Sequence, residues 1–300
     1  MHALRTYLNF TTDSERWDRF AFREGDIVIS TPPKAGTTLT QMLVALLIFD
    51  TPDLPAPLDD LSPWLDMTAK IEADTVAALE AQTHRRFIKT HTPLDGIPDR
   101  DDVSYLTIAR DPRDVFVSYK HHQDNSDFDW MRARIDEAIG YERVAHLVAP
   151  RPDTIEEMFD IFLDNSNPGT FVSLDSLCHQ MQLQWARMDR PNVCAQHFLD
   201  VKADPVAAMR RIASTLGLDR SDERLAELAE AASIESMRSK AVERAPVTGL
   251  FKDPDKFFRT GGSGEWEAFA TEEQLDRYWA NIGERVDDRL SHWMHHGDDG

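Results

Sequence analysis

Between Asp26 and Phe49 the chain passes through three kinds of sequence in turn, and this stretch narrows the possible folds more than any other. Ile27-Val28-Ile29-Ser30 is a short β-branched apolar run, Thr31 to Thr38 reads TPPKAGTT, and Leu39 to Phe49 is apolar over more than two helical turns. The pattern predicts a strand, a loop and a helix. The first turn of a helix leaves backbone N–H groups without partners and carries partial positive charge, so Gly36, Thr37 and Thr38 aim several donors at one point, where an anion fits. Gly36, lacking a Cβ, lets backbone and ligand oxygen come close, while Pro32 and Pro33 stiffen the approach from the strand. Lys34 adds a mobile charge. The common nucleotide loop has its lysine after the last glycine, whereas Lys34 precedes Gly36. A plain Pro/Gly turn leading into a buried helix remains open at this point.

The rest of the composition sets the bounds. Three hundred residues, 41% of them hydrophobic, can build a sizeable core, and residues 1–300 are expected to form one α/β domain. A formal charge of −20 argues against a nucleic-acid partner or an anionic membrane surface, so any polyanionic ligand needs a locally basic pocket. The longest uninterrupted apolar run, Met42 to Phe49, is far short of a spanning helix, and Met1 to Phe20 has no signal-peptide core. A soluble, cytoplasmic protein without an integral membrane segment is the expectation. Cys178 and Cys194 are too few for a disulfide framework or a structural zinc site.

Two further strands are expected to deliver chemistry to the same place, since the carboxyl ends of strands in open parallel sheets face the ligand crevice. Arg86 to Pro93 reads as a strand that brings Lys89 and His91 there, two residues apart and on one side of the chain. Ser104 to Ala109 reads as another. It is followed by Arg110, an N-cap at Asp111, Pro112 at the first helical position and a helix to about His121. Ser118 lies about two turns into that helix and can share an anion with Arg110. Alternatively Arg110 pairs with Asp111 or Asp114. Asn192 to Phe198 is a fourth strand, and strands alternating with helices give a doubly wound central parallel sheet flanked by helices. In the proline-rich stretch from Asp50 to Pro63 and just beyond it, Leu54, Leu58, Leu61 and Trp64 are candidate walls of a substrate pocket, or simple core covers. Gln123 to Asp153 reads as irregular, and His121 with His122 as a solvated pair. Finally, Arg259-Thr260-Gly261-Gly262-Ser263-Gly264 is a glycine-rich loop behind an arginine, able to fold its amides around an oxyanion.

Together these stretches resemble the cytosolic-type sulfotransferases, which move a sulfuryl group from 3′-phosphoadenosine 5′-phosphosulfate (PAPS) to an acceptor and release the 3′,5′-bisphosphate nucleotide PAP. Thr31 to Thr38 is similar to the family's 5′-phosphosulfate loop, Lys89-Thr90-His91 to its lysine and catalytic histidine, Arg110 to Ser118 to its 3′-phosphate segment, and Arg259-Thr260-Gly261 with Gly264-Glu265-Trp266 to its C-terminal loop. The pattern is closest to bacterial members described as glycolipid sulfotransferases. The resemblance implies His91, Lys34 and Lys89 as catalytic residues, without a metal. It implies Lys34, Ala35, Gly36, Thr37, Thr38, Leu39, Arg110, Ser118, Phe198, Ile234, Arg259, Thr260 and Gly261 as the nucleotide site. A small hydrophobic or glycolipid hydroxyl is the implied acceptor. Leu39 stands where the family has an adenine-contacting tryptophan, Phe198 where it has tyrosine, and Ile234 where an aromatic often stacks. Glu267 and Glu272 replace a lysine and a valine of the family's dimer segment, so any homodimer is expected to use another surface. The competing readings are a P-loop-type kinase or NTPase, and a PAP(S)-binding module without catalysis.

Overall fold

The computed structural model of the chain describes residues 3–148, 150–164, 171–239, 249–257 and 262–298. Four strands, β1 (Ile27–Ser30), β2 (Phe87–Thr90), β3 (Ser104–Ala109) and β4 (Val193–His197), form one parallel sheet in the order β2-β1-β3-β4. Ile27 pairs with Phe87 on one side and Ser104 on the other, and Tyr105 pairs with Val193 at the far edge. Every residue of β1, β2 and β3 is buried. Strands covered on both faces read as continuous apolar runs, which is why Ile27 to Ile29 shows no alternation. The side chains still alternate in space. Ile27, Ile29, Leu106 and Ile108 enter the main core, while Val28, Ile88, Tyr105 and Val193 enter a second cluster with Trp17 and Phe20.

The helices, in chain order, are α1 (Glu15–Arg19), α2 (Thr37–Phe49), α3 (Leu58–Leu61), α4 (Glu72–Ala81), α5 (Pro112–Asn125), α6 (Phe128–Ile139), α7 (Glu142–Ala145), α8 (Ile155–Asp164), α9 (Leu174–Trp185), α10 (Phe198–Ala203), α11 (Pro205–Thr215), α12 (Asp222–Ala231), α13 (Ile234–Ser239), α14 (Glu272–Arg285) and α15 (Asp288–His296). α2 is apolar nearly all round, as a helix enclosed by other elements must be, and it packs on the sheet, α3, α11 and α12. α5 starts as expected: the Asp111 side chain accepts the Arg113 N–H at 2.8 Å, with Pro112 at the first position. α14 opens on the Thr271/Gln274 capping box.

Several expectations are corrected. The stretch from Gln123 to Asp153 is not irregular. It completes α5 and then forms α6 and α7, whose Met131, Ile135 and Val144 enter a third apolar cluster. The fourth strand stops at His197, so Phe198 opens α10 instead. α15 was not expected. Leu58 and Leu61 belong to the main core and Leu54 packs against it, which leaves Trp64 as the one of the four pocket candidates on a cavity wall.

From β1 the chain crosses to β2 on one side and then to β3 on the other, so the direction of winding switches between β1 and β3. The loops leaving these two strands diverge there and open a crevice at the carboxyl edge of the sheet. Lys34 follows β1 and Arg110 follows β3.

Candidate active site

The loop after β1 has an unusual backbone. Lys34 has φ 65° and Gly36 has φ 136°, and a Cβ on Gly36 would lie 2.9 Å from Ile108 Cδ1 and 3.3 Å from Phe198 Cδ2. Only glycine fits between this loop and β3. No side chain caps the start of α2 and its first turn holds no acidic residue, so its leading N–H groups keep their capacity for an anion. Thr31 Oγ1 and Thr37 Oγ1, 2.6 Å apart, tie the end of β1 to that turn. Ala35 differs from its neighbours: its methyl is in the core and its N–H goes to Pro32 O at 3.3 Å.

The end of β2 is held by a buried carboxylate. Asp66 Oδ2 accepts from Trp17 Nε1 at 2.8 Å, Thr90 Oγ1 at 2.6 Å and Thr92 Oγ1 at 2.5 Å, gripping the residues on either side of His91. Gln180 Nε2 donates to His91 O at 2.9 Å, and His91 Nδ1 lies 2.9 Å from Thr31 O. A carbonyl only accepts, so Nδ1 carries the proton and Nε2 keeps a lone pair. Trp64 and Phe171 meet the imidazole edge to face, with centroids at 4.8 and 5.5 Å. Burial, then the charges of Lys89 and Lys34, hold the imidazole well below its usual range, against the pull of the Thr31 carbonyl. Lys89 Nζ stands 4.0 Å from the centre of the Trp64 ring, and burial brings this ammonium down to about 7.

At the end of β3, Arg110 joins separate parts of the chain. Its guanidinium donates to Lys34 O at 3.4 Å and to Gly262 O at 2.7 Å, and lies 4.4 Å over the Phe198 ring. Asp114 approaches it at 4.0 Å and accepts the Gly264 N–H at 2.8 Å. Arg113 pairs with Asp111 at 2.7 Å and stacks 3.9 Å over Trp266. Arg110 therefore faces the crevice and an acidic partner at once, and the segment from Gly262 to Trp266 is docked on α5. Arg259, Thr260 and Gly261 lie outside the described residues.

One cleft of about 200 Å³ brings together Lys34, Gly36, Thr37, Thr38, Leu39, Lys89, His91, Arg110, Ser118, Phe198 and Ile234. The remaining wall is mainly apolar: Trp64, Met67, Tyr119, Phe171, Leu250, Phe251 and Phe257. His122 also lines it, with Nδ1 3.5 Å from Lys34 Nζ, so the reading of His121 and His122 as a solvated pair is corrected. Burial first, then the Lys34 charge, depresses the His122 imidazole. Its position was available in the sequence, since Ser118 and His122 are four apart on one helix face. Phe171 carried no such signal. Among the described residues no three His, Cys, Asp or Glu side chains are grouped to hold a metal ion.

Residues 24–289 match the family model described as the sulfotransferase domain. The chain is 41% identical to the glycolipid sulfotransferase of Mycobacterium tuberculosis over 308 residues, which cover 97% of this chain and 94% of the relative. It is 25% identical to sulfotransferase 1B1 of Mus musculus over 288 residues, 93% of this chain and 88% of the relative. The crystal structure of a mouse sulfotransferase complexed with PAP shares the fold, with a TM-score of 0.70, 21% identity and coverage of 97% of this chain and 99% of that one. Retinol dehydratase in a complex with retinol and PAP shares it at a TM-score of 0.69, 22% identity and coverage of 91% and 84%. A domain match over most of the length, joined to 41% identity across nearly all of it, makes this chain a member of the sulfotransferase family.

Proposed function

We propose that this sulfotransferase takes the sulfuryl group of PAPS and places it on a hydroxyl of a glycolipid-type acceptor, releasing PAP. The observation that carries the reading is the single cleft uniting the α2 N–H groups, two lysines, Arg110 and an imidazole with its Nε2 lone pair available. The donor set suits the nucleotide. The uncapped start of α2 and the Lys34 loop answer one anionic group, Arg110 and Ser118 answer a second, and Leu39, Phe198 and Ile234 offer apolar surface for a base. Arg259, Thr260 and Gly261 are assigned to the second anionic group by the family resemblance alone. Residues 1–300 are read as one domain.

PAPS, when bound, supplies the sulfuryl group and an anionic leaving group. His91 Nε2 accepts the proton of the acceptor hydroxyl as that oxygen bonds to sulfur. Lys34 would neutralise charge on the bridging oxygen that departs with its bonding pair, and Lys89 with Thr37 and Thr38 would hold the sulfuryl and neighbouring phosphate oxygens, so charge developing there would meet fixed cations. Bound anions oppose the lysine charges that depress His91, which moves the imidazole back toward a useful basicity. The Asp66 clamp keeps the base from turning away. The aromatic wall receives the apolar part of the acceptor, and the 41% identical relatives named glycolipid sulfotransferases support that class.

The test has two parts. Calorimetry should show PAP binding at least about 100-fold tighter than ATP, and radiolabelled PAPS should put label into the organic phase of a lipid extract. Equal affinity for ATP, or no labelled product with any acceptor, defeats the reading.

A further inference from the structure

His91 belongs to two cavities. Behind it, separated from the first cleft by Pro33, His91 and Phe171, lies a second cavity of about 400 Å³. This volume is within the span of small-ligand sites, roughly 300–1,000 Å³. Its lining differs in kind from that of the first cleft. Tyr7 from the N-terminal segment and His179 from α9 line it, and both are tied to Asp95 from the turn after β2. The Tyr7 hydroxyl donates to Asp95 Oδ1 at 2.6 Å and lies 2.9 Å from His179 Nε2, which is 3.0 Å from Asp95 Oδ2. All three side chains are half-buried, and Tyr7 and His179 border the cavity. Burial opposes the Asp95 charge, yet the hydrogen bonds of His179 and Tyr7 hold its carboxyl below the usual range.

The surrounding charges nearly cancel. On the lining Arg285 pairs with Asp175 at 3.2 Å, and the charge of Arg5 acts on the Asp95 carboxylate that Tyr7 and His179 hold, unlike the first cleft, where the charged groups are Lys34, Lys89, Arg110 and Lys256. A neutral lining rich in paired donors and acceptors suits a neutral polyol better than an anion or an apolar chain. Tyr7 and Phe171 add flat apolar faces for the C–H side of a sugar ring. The position carries the argument further. A ring held in this cavity would lie against His91, and Phe171, which lines both cavities, would stand between it and the aromatic wall.

Resting on the sulfotransferase reading above, we propose that this second cavity is the carbohydrate subsite of the acceptor, holding a neutral sugar through Tyr7 and His179, with Asp95 as the residue that positions both. The acceptor class is then a neutral glycoside with an apolar aglycone.

Octyl β-glucoside and 1-octanol, which share the chain and differ in the sugar, provide the test with the full chain. Expected are a kcat/KM for the glucoside at least about 100-fold above that for octanol, and a fall of at least about tenfold in that ratio in Tyr7→Phe and in Asp95→Asn. Calorimetry on the PAP-saturated protein should show glucoside binding that weakens in the same variants. A structural tie alone would lower the melting temperature of the variants while leaving the ratio in place, and that outcome overturns the subsite. So does equal use of glucoside and octanol by the unaltered protein, whatever the variants do. Failure to bind PAP at all instead removes the sulfotransferase reading, and the subsite with it.

Discussion

His91 and Lys89 carry opposite demands. The imidazole must be neutral to take a proton, and its burial beside two ammonium groups ensures this well into acid. The ammonium must be charged to help an anion, yet burial brings it to about 7. PAP favours the charged form of Lys89, so its binding takes up a proton above neutrality. The sign follows: affinity is full below pH 7 and declines above it. The dissociation constant of PAP should rise about fivefold from pH 7 to pH 8, with Lys89→Arg removing most of the slope. Calorimetry at the two pH values checks this, and a flat profile refutes it. His91→Ala should lower kcat about 100-fold or more while PAP affinity stays within about threefold. Steady-state rates and a PAP titration separate the two effects; turnover that survives points to a different base.

At the scale of elements, the sheet divides its labour between its two ends. The carboxyl ends of β1, β2 and β3 carry the cleft, whereas the opposite ends of β1 and β2 are joined by Asp26 and Arg86, a buried pair whose side chains are each 2% exposed. Removing one partner strands the other charge, so Asp26→Ala should cost about 3–5 kcal/mol of stability by urea unfolding without changing which residues meet PAP. The strand–loop–helix unit was legible because each part bore its own signal: a β-branched run, a stiff loop with one glycine, and an apolar helix. The strand ends were legible for the same reason, since Lys89, His91 and Arg110 each follow an apolar run. α6 and α7 were not. Charged residues interrupt their apolar positions, and the residues that cover them, Leu250 and Phe251, lie about a hundred positions on. α10 escaped because Phe198, set off by two residues from the apolar start of β4, reads as one more strand position, and six residues leave little room for a helical period. Phe171 reaches the cleft through packing alone, which no local pattern announces.

Taken whole, the molecule is strongly acidic around a basic interior cleft. A lipid-type acceptor dispersed among anionic phospholipids would be presented on a surface that repels most of the chain. Transfer to an acceptor glycolipid in vesicles should therefore fall about threefold or more at low salt when anionic lipid is added, and recover as salt shortens the Debye length from ~30 Å to ~8 Å. Rates on neutral and anionic vesicles at two salt concentrations test this, and indifference to lipid charge would contradict it. The left-handed backbone of Lys34 bears on the molecule as a whole too. A side chain in that conformation costs about 1 kcal/mol that glycine avoids. Lys34→Gly should melt higher than Lys34→Ala while both are inert, because only the first relieves the backbone. The backbone of this loop is thus better suited to glycine than to the residue it carries, and selection for robustness alone would erase the amine proposed to meet the leaving group.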